Sequence, residues 1–279
     1  LIDIKEQAMH NAWMRRLFGF LLAFAAGLAP AAVFADAAGE ALAQKVYDRP
    51  NGNDAVSVLT MSLTQPGRPP RNRRMILYRL DKGPGEVASL IRFTEPEDIA
   101  GTGLLTLDHK SGDSDQWIYL PAMERVRRIA ANRKGGRFVN SEYYYEDLRE
   151  RKVHQDRHRI IGRETVNGIR CEVLESIPAE AGNSAYLKRV SFVDPDTLLV
   201  MRVDFYERNE SEPSKRLLVN AFRRIQGYWT VTDSTMTDLS NGNATRLVVE
   251  KIQYNRRLPA RLFTVEVLED ESLEEDYRP

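Results

Sequence analysis

Residues Trp117 to Leu148 read WIYLPAMERVRRIAANRKGGRFVNSEYYYEDL. The stretch starts as a strand, stops at Pro121, passes through a run of bases and turns at Gly135-Gly136. It ends in a tyrosine cluster followed by Glu146 and Asp147. Trp117 and Tyr119 alternate onto one side of the opening strand, Ile118 and Leu120 onto the other.

The rest of the chain carries the same period-two signal. Val166-Asn167-Gly168 joins two apolar-alternating runs, and Asn-Gly is a favoured pair for a tight hairpin. Asp194-Pro195-Asp196, Gln226-Gly227 and Asn241-Gly242-Asn243 separate further runs of the same kind. In the run from Leu198 to Tyr206, Leu199, Met201, Val203 and Phe205 are expected on one face. Helical spacing is confined to Asp36–Tyr47, where Ala38, Leu42 and Val46 fall on one stripe, to one turn near Pro96 and to another near Pro259. The expected fold is therefore mainly β (α+β): a curled antiparallel sheet of about eleven strands covered by short helices. Glu266 to Asp276 carries seven acids and is expected to end in a frayed acidic tail.

Residues 1–35 have a different character. Arg15-Arg16 precede an uncharged apolar run, Leu17 to Leu28, and Val33-Phe34-Ala35 offers the small residues of a cleavage site. The run is too short to span a bilayer of roughly 30 Å. Residues 1–35 are expected to be an upstream extension plus a secretory signal peptide, with Met14 the initiator. Residues 36–279 are then a single exported domain. No cysteine follows the apolar run, and Cys171 has no partner for an internal disulfide. It is expected to be a small buried residue.

Charge is balanced, with 40 Lys and Arg against 40 Asp and Glu, which argues against a nucleic-acid binder. Catalytic signatures are poor: there is no Gly-x-Ser-x-Gly elbow and no Gly-rich phosphate loop. His154, Asp156 and His158 would share a strand face and could hold zinc, but they read better as solvated polar residues. No metal, cofactor or catalytic residue is expected. Arg125, Arg127 and Arg128, with Arg133, Lys134 and Arg137, form a basic patch that could meet lipid phosphates or an acidic partner. The blander reading is a soluble face partly paired with Glu142, Glu146 and Asp147. Trp117, Tyr119, Phe138, Tyr143 and Tyr145 could line an apolar pocket, although aromatics at strand spacing are more often plain core.

Three segments together resemble the outer-membrane lipoprotein-sorting (LolA-like) family of periplasmic carriers: Trp117-Ile118-Tyr119-Leu120-Pro121, Arg125 to Ile129, and Tyr145-Glu146-Asp147-Leu148. The Gly168-Ile169-Arg170-Cys171-Glu172-Val173 strand and the Leu-Pro-x-x-Leu-Phe at 258–263 support them. Where relatives commonly have Gly-Ser/Thr-Asp-Phe before Tyr-Glu-Asp-Leu, this chain has Asn140-Ser141-Glu142-Tyr143. The resemblance implies an incomplete barrel with a helical lid over an apolar cavity. It also implies a soluble, monomeric carrier of a lipid or lipoprotein acyl chain in the periplasm of a Gram-negative bacterium, active in outer-membrane biogenesis. The branch resembles accessories of inner-membrane exporters of the resistance-nodulation-division (RND) type. A packed interaction module docking on such an exporter is the alternative, and a hydrolase using His154, Asp156 and His158 a remote third.

Overall fold

A computed structural model describes residues 36–279; the leader expected in residues 1–35 lies outside the described residues. Thirteen strands occur among the described residues, in one antiparallel sheet. They are β1 (Asp54–Thr64), β2 (Arg71–Gly83), β3 (Glu86–Glu95), β4 (Gly103–Leu107), β5 (Asp115–Leu120) and β6 (Arg125–Arg128). After a long connection come β7 (Asp156–Val166), β8 (Ile169–Pro178), β9 (Lys188–Val193), β10 (Val200–Tyr206), β11 (Lys215–Ile225), β12 (Tyr228–Asp238) and β13 (Ala244–Tyr254). Two short α-helices, α1 (Ala37–Tyr47) and α2 (Val265–Glu269), flank the sheet in sequence.

The sheet exceeds the eleven strands expected. One addition is β6, which reads as a basic run rather than a strand. A turn at Pro121–Glu124, with Glu124 in the left-handed region at φ 45°, folds it back so that Arg125 to Arg128 pair with Leu120 to Trp117. Arg125, Arg127 and Arg128 stay exposed while Val126 turns inward. Charged side chains on an edge strand oppose pairing with other chains.

Strand order runs β6-β5-β4-β3-β2-β1-β13-β12-β11-β10-β9-β8-β7. Two meanders meet where β1 pairs with β13, and β6 and β7, consecutive in the chain, lie at opposite ends of that order. The sheet is not closed into a barrel. Residues 129–155, which link the two end strands, therefore lie across one face of the sheet.

That strapped face carries Leu59, Met61, Phe93, Leu104 and Ile118 beneath Phe138, and Phe205 and Met236 beneath Tyr143. The other face carries Val56, Tyr78, Leu90 and Leu105 beneath Leu262, Val267 and Leu268 of the C-terminal segment. It also carries a second cluster around Cys171, which is buried, Val173 and Phe192. Leu199 and Met201 belong to this second cluster, whereas Val203 and Phe205 face the strap. A β-bulge between Val200 and Arg202 breaks the alternation that would have kept the four together.

The acidic C-terminus is packed, not frayed. Arg92 and Glu274 are both fully buried, and Arg92 Nη2 lies 2.7 Å from Glu274 Oε1. The remaining guanidinium donors reach the carbonyls of Gly101 (2.6 Å), Val267 (2.7 Å) and Leu268 (3.1 Å). Acids at intervals in a polar stretch suggest solvation; one of them instead neutralises a core arginine that sequence position alone could not reveal. Removing one member of a buried pair leaves the other uncompensated, at about 3–5 kcal/mol. Glu274→Ala should therefore lower the urea midpoint by an equivalent amount and expose residues 264–277 to limited proteolysis. An unchanged midpoint would show that the pair does not hold this segment.

Candidate functional site

The strap is fixed by its Tyr-Glu-Asp-Leu motif. Glu146 accepts hydrogen bonds from the Ser184 hydroxyl and from Ala185 N (2.6 Å), which ties the strap to the loop before β9. Asp147 accepts from Tyr144 N (2.7 Å), from the Tyr186 hydroxyl (2.8 Å) and from Lys215 Nζ (3.2 Å). Lys215, on β11, is 1% exposed, and its ammonium lies 3.4 Å from the centroid of the Tyr144 ring. Burial pushes the pKa of Lys215 down, opposed by the charge and hydrogen bond of Asp147. Gly136 must be small: a Cβ there would sit 3.1 Å from Arg133 O and 3.3 Å from the Tyr145 ring. Toward the opposite end of the sheet, Phe138 packs against Phe93 of β3 and Tyr145 (centroids 5.7 and 6.0 Å).

Helix α1 covers the part of the same face that the strap leaves, over β7 to β10. Asp36 caps it by accepting from Gly39 N, and Asp36 N donates to His158 O of β7 (3.0 Å). Gly39 meets the β7 backbone so closely that a Cβ would fall 2.7 Å from Arg159 N and Cα. Leu42, Ala43 and Val46 then face Leu174, Val193 and Val200.

Between helix and sheet lies a cavity of about 270 Å³. Its floor is Leu174, Val193, Val200, Val203 and Phe205, and Ala43 and Val46 wall it. Polar groups gather at its border. Asp156 binds Arg151 (2.7 Å) and Arg189. Burial alone would raise the Asp156 carboxyl, but the Arg151 hydrogen bonds and the two arginine charges outweigh it and hold the pKa below the usual range. His158 lies beside Ser176 Oγ (2.8 Å) and Val153 O (2.9 Å), so both ring nitrogens have partners. The arrangement offers an apolar slot with a neutralised ionic border; it presents no paired nucleophile and base.

The aromatic residues singled out from the sequence do not converge. Trp117 and Tyr119 are half-buried against the C-terminal cluster, on the face opposite Phe138, Tyr143 and Tyr145. None of the five lines the cavity under α1. Arg125, Arg127 and Arg128 sit on β6, at the other end of the strand order from the strands beneath α1. Arg128 pairs with Asp115, and Arg137 pairs with Glu142 (2.6 Å) and Asp238 (2.9 Å). His154 is exposed, Asp156 is taken by the arginines, and no group of three metal-type ligands occurs among the described residues. The cavity residues escaped sequence reading because Leu174, Val193 and Val203 look like any strand core. Only the helical stripe at Leu42 and Val46 signalled that something packs there.

A family model described as an uncharacterized protein matches residues 85–270. A solved structure from Vibrio parahaemolyticus, described as a putative outer membrane lipoprotein-sorting protein domain, is 31% identical, with 83% of this chain and 98% of that chain covered and a TM-score of 0.78. A DUF1329 family protein from Desulfovibrio piger is 30% identical, with 84% and 99% covered and a TM-score of 0.79. A LolA superfamily protein from Nitrosomonas europaea, 17% identical with 82% and 98% covered and a TM-score of 0.64, shares the fold. A search of the curated proteins finds no match.

Asp147→Ala would leave the Lys215 ammonium buried without its carboxylate, a change that typically costs about 3–5 kcal/mol. Hydrogen–deuterium exchange should then speed up across residues 134–148. Exchange as slow as in the unmodified protein would mean that the strap is held by its aromatic packing alone.

Proposed function

The chain belongs to the DUF1329 family, within the LolA-like lipoprotein-sorting proteins, and from that premise we infer that it is a periplasmic carrier of a lipid or lipoprotein acyl chain. The apolar cavity between α1 and β8–β10 carries this reading. An acyl chain needs no hydrogen bonds to be held, since each buried methylene contributes about 0.8 kcal/mol. The cavity stands near the lower end of the roughly 300–1,000 Å³ usual for ligand sites. Lifting α1 from Leu174 and Val193 would enlarge it, and the helix is held mainly by Leu42, Ala43, Val46 and its N-terminal bonds. The carrier does no covalent chemistry: it takes its cargo from one membrane partner, an RND-type exporter among the candidates, and passes it to the next as a monomer. The lipoprotein-sorting description of the Vibrio parahaemolyticus domain supports the cargo class. The signal-like residues 14–35 support export, and no helix among the described residues is long and apolar enough to cross a membrane.

A second reading has its own observation. Beneath Phe138 the strapped face is filled by Met61, Phe93 and Leu104, all buried. A protein packed in this way throughout would be a docking module, with the arginines of β6 as its contact surface.

Residues 36–279, purified from a bacterial periplasm without detergent, should carry lipid near one molecule per protein by solvent extraction and mass spectrometry. Ala43→Phe, which fills the cavity from α1, should lose that lipid while keeping the β-sheet circular-dichroism spectrum of the unmodified protein. Lipid-free protein that also fails to bind a fluorescent fatty acid would favour the docking module.

A further inference from the structure

The cavity under α1 adjoins a second cleft of about 290 Å³, and Tyr47, Lys152 and Val153 line both. The two differ in chemistry. The first is floored by aliphatic side chains and Phe205; the second adds Lys110 and His154 to Lys152, with Glu40 as its one carboxylate. Lys152 is the unusual residue. The residue as a whole is 7% exposed, and its charge acts on the carboxyls of Asp108 and Glu150, neither of which forms a direct ion pair with it. The two lysines are neighbours across Gly85, where a Cβ would lie 3.5 Å from Lys110 Cα and 3.7 Å from Lys152 Cε. An ammonium at the junction of an apolar slot and a basic cleft, with no direct ion pair, can receive an anion supplied from outside.

The acids nearby are otherwise engaged. Glu40 accepts from His158 N (3.2 Å). Asp108 accepts from the Ser114 hydroxyl and from Glu150 N (3.2 Å). Burial pushes the pKa of both Asp108 and Glu150 up, opposed in part by the charge of Lys152.

We propose that the ligand is a single-chain anionic amphiphile, its chain in the cavity beneath α1 and its carboxylate or phosphate head on Lys152 and Lys110, with Tyr47 at the junction. This rests on the carrier reading and narrows its cargo. With α1 seated, the slot of about 270 Å³ has room for a single aliphatic chain.

The test is calorimetric titration of residues 36–279 with decanoate, decyl phosphate, decanol and decyltrimethylammonium, in low and high salt. One or both anions should bind about tenfold more tightly than decanol, as expected for charge-assisted hydrogen bonds. High salt should weaken the anions and leave decanol unaffected. Lys152→Met should bring the anion-to-decanol ratio close to one, and Lys110→Gln, at an exposed position less exposed to folding failure, should lower it in part. Preference for decyl phosphate assigns a lysophospholipid-type head; preference for decanoate assigns a fatty acid. Equal affinity for all four probes, unaltered by either substitution, overturns the head-group assignment and leaves the carrier reading standing. Failure to bind any probe overturns both.

Discussion

The connection from β6 to β7 constrains everything else. Because these strands end the sheet on opposite sides, the backbone between them has to traverse a face that would otherwise be open and apolar. A connection of that kind must bring its own core residues and bury its own polar groups. Phe138 supplies the first, inserted against Phe93; Glu146 and Asp147 supply the second, each carboxylate taking several donors from the far half of the sheet. The Tyr-Glu-Asp-Leu signature is therefore an anchoring device. In the bare sequence its acids read as partners of the neighbouring basic patch, yet their oxygens are committed to Ser184, Ala185, Tyr186 and Lys215.

Ionic groups hold the two covers of the sheet in different ways. On the strapped face Lys215 and Asp147 meet inside an aromatic surround. On the other face Arg92 spends its donors on Glu274 and three carbonyls, fixing the C-terminal segment. Buried pairs of this sort add little net stability relative to apolar replacements, but a half-made pair is strongly disfavoured, so each cover has one well-defined seating. Helix α1 lacks such a pair toward the sheet. Its inward residues are Leu42, Ala43 and Val46, and full burial of a leucine- or valine-sized side chain contributes only roughly 1.5–3 kcal/mol. The weakest cover is thus the one that lies over the apolar slot, which is where an exchangeable ligand would need it.

Period-two alternation, hairpin turns and the signature segments made the β architecture and the family legible. The same alternation assigned Ile118 and Trp117 to opposite faces, and they do lie there. It misassigned Met201, because a bulge adds a residue without leaving a mark in the sequence. It also missed β6, whose arginines suit an exposed edge as well as a loop, and it left Glu274 in solvent with the other C-terminal acids because its counter-charge lies far away in sequence at Arg92.

The sequence by itself determined a two-faced antiparallel sheet, its turns, its helical stripe at the start and its likeness to lipoprotein-sorting proteins, since each rests on local spacing. Tertiary structure alone decided which face is strapped, which acids are anchors and where the slot lies. Those depend on contacts between residues far apart in the chain: Asp147 with Lys215, Arg92 with Glu274, and Gly39 against the backbone of β7. Aromatic residues that cluster in sequence were parted because Trp117 and Tyr119 point from β5 to one face while the strap carries Phe138, Tyr143 and Tyr145 across the other, and Val46, Leu174 and Val203, distant in sequence, were brought to one cavity.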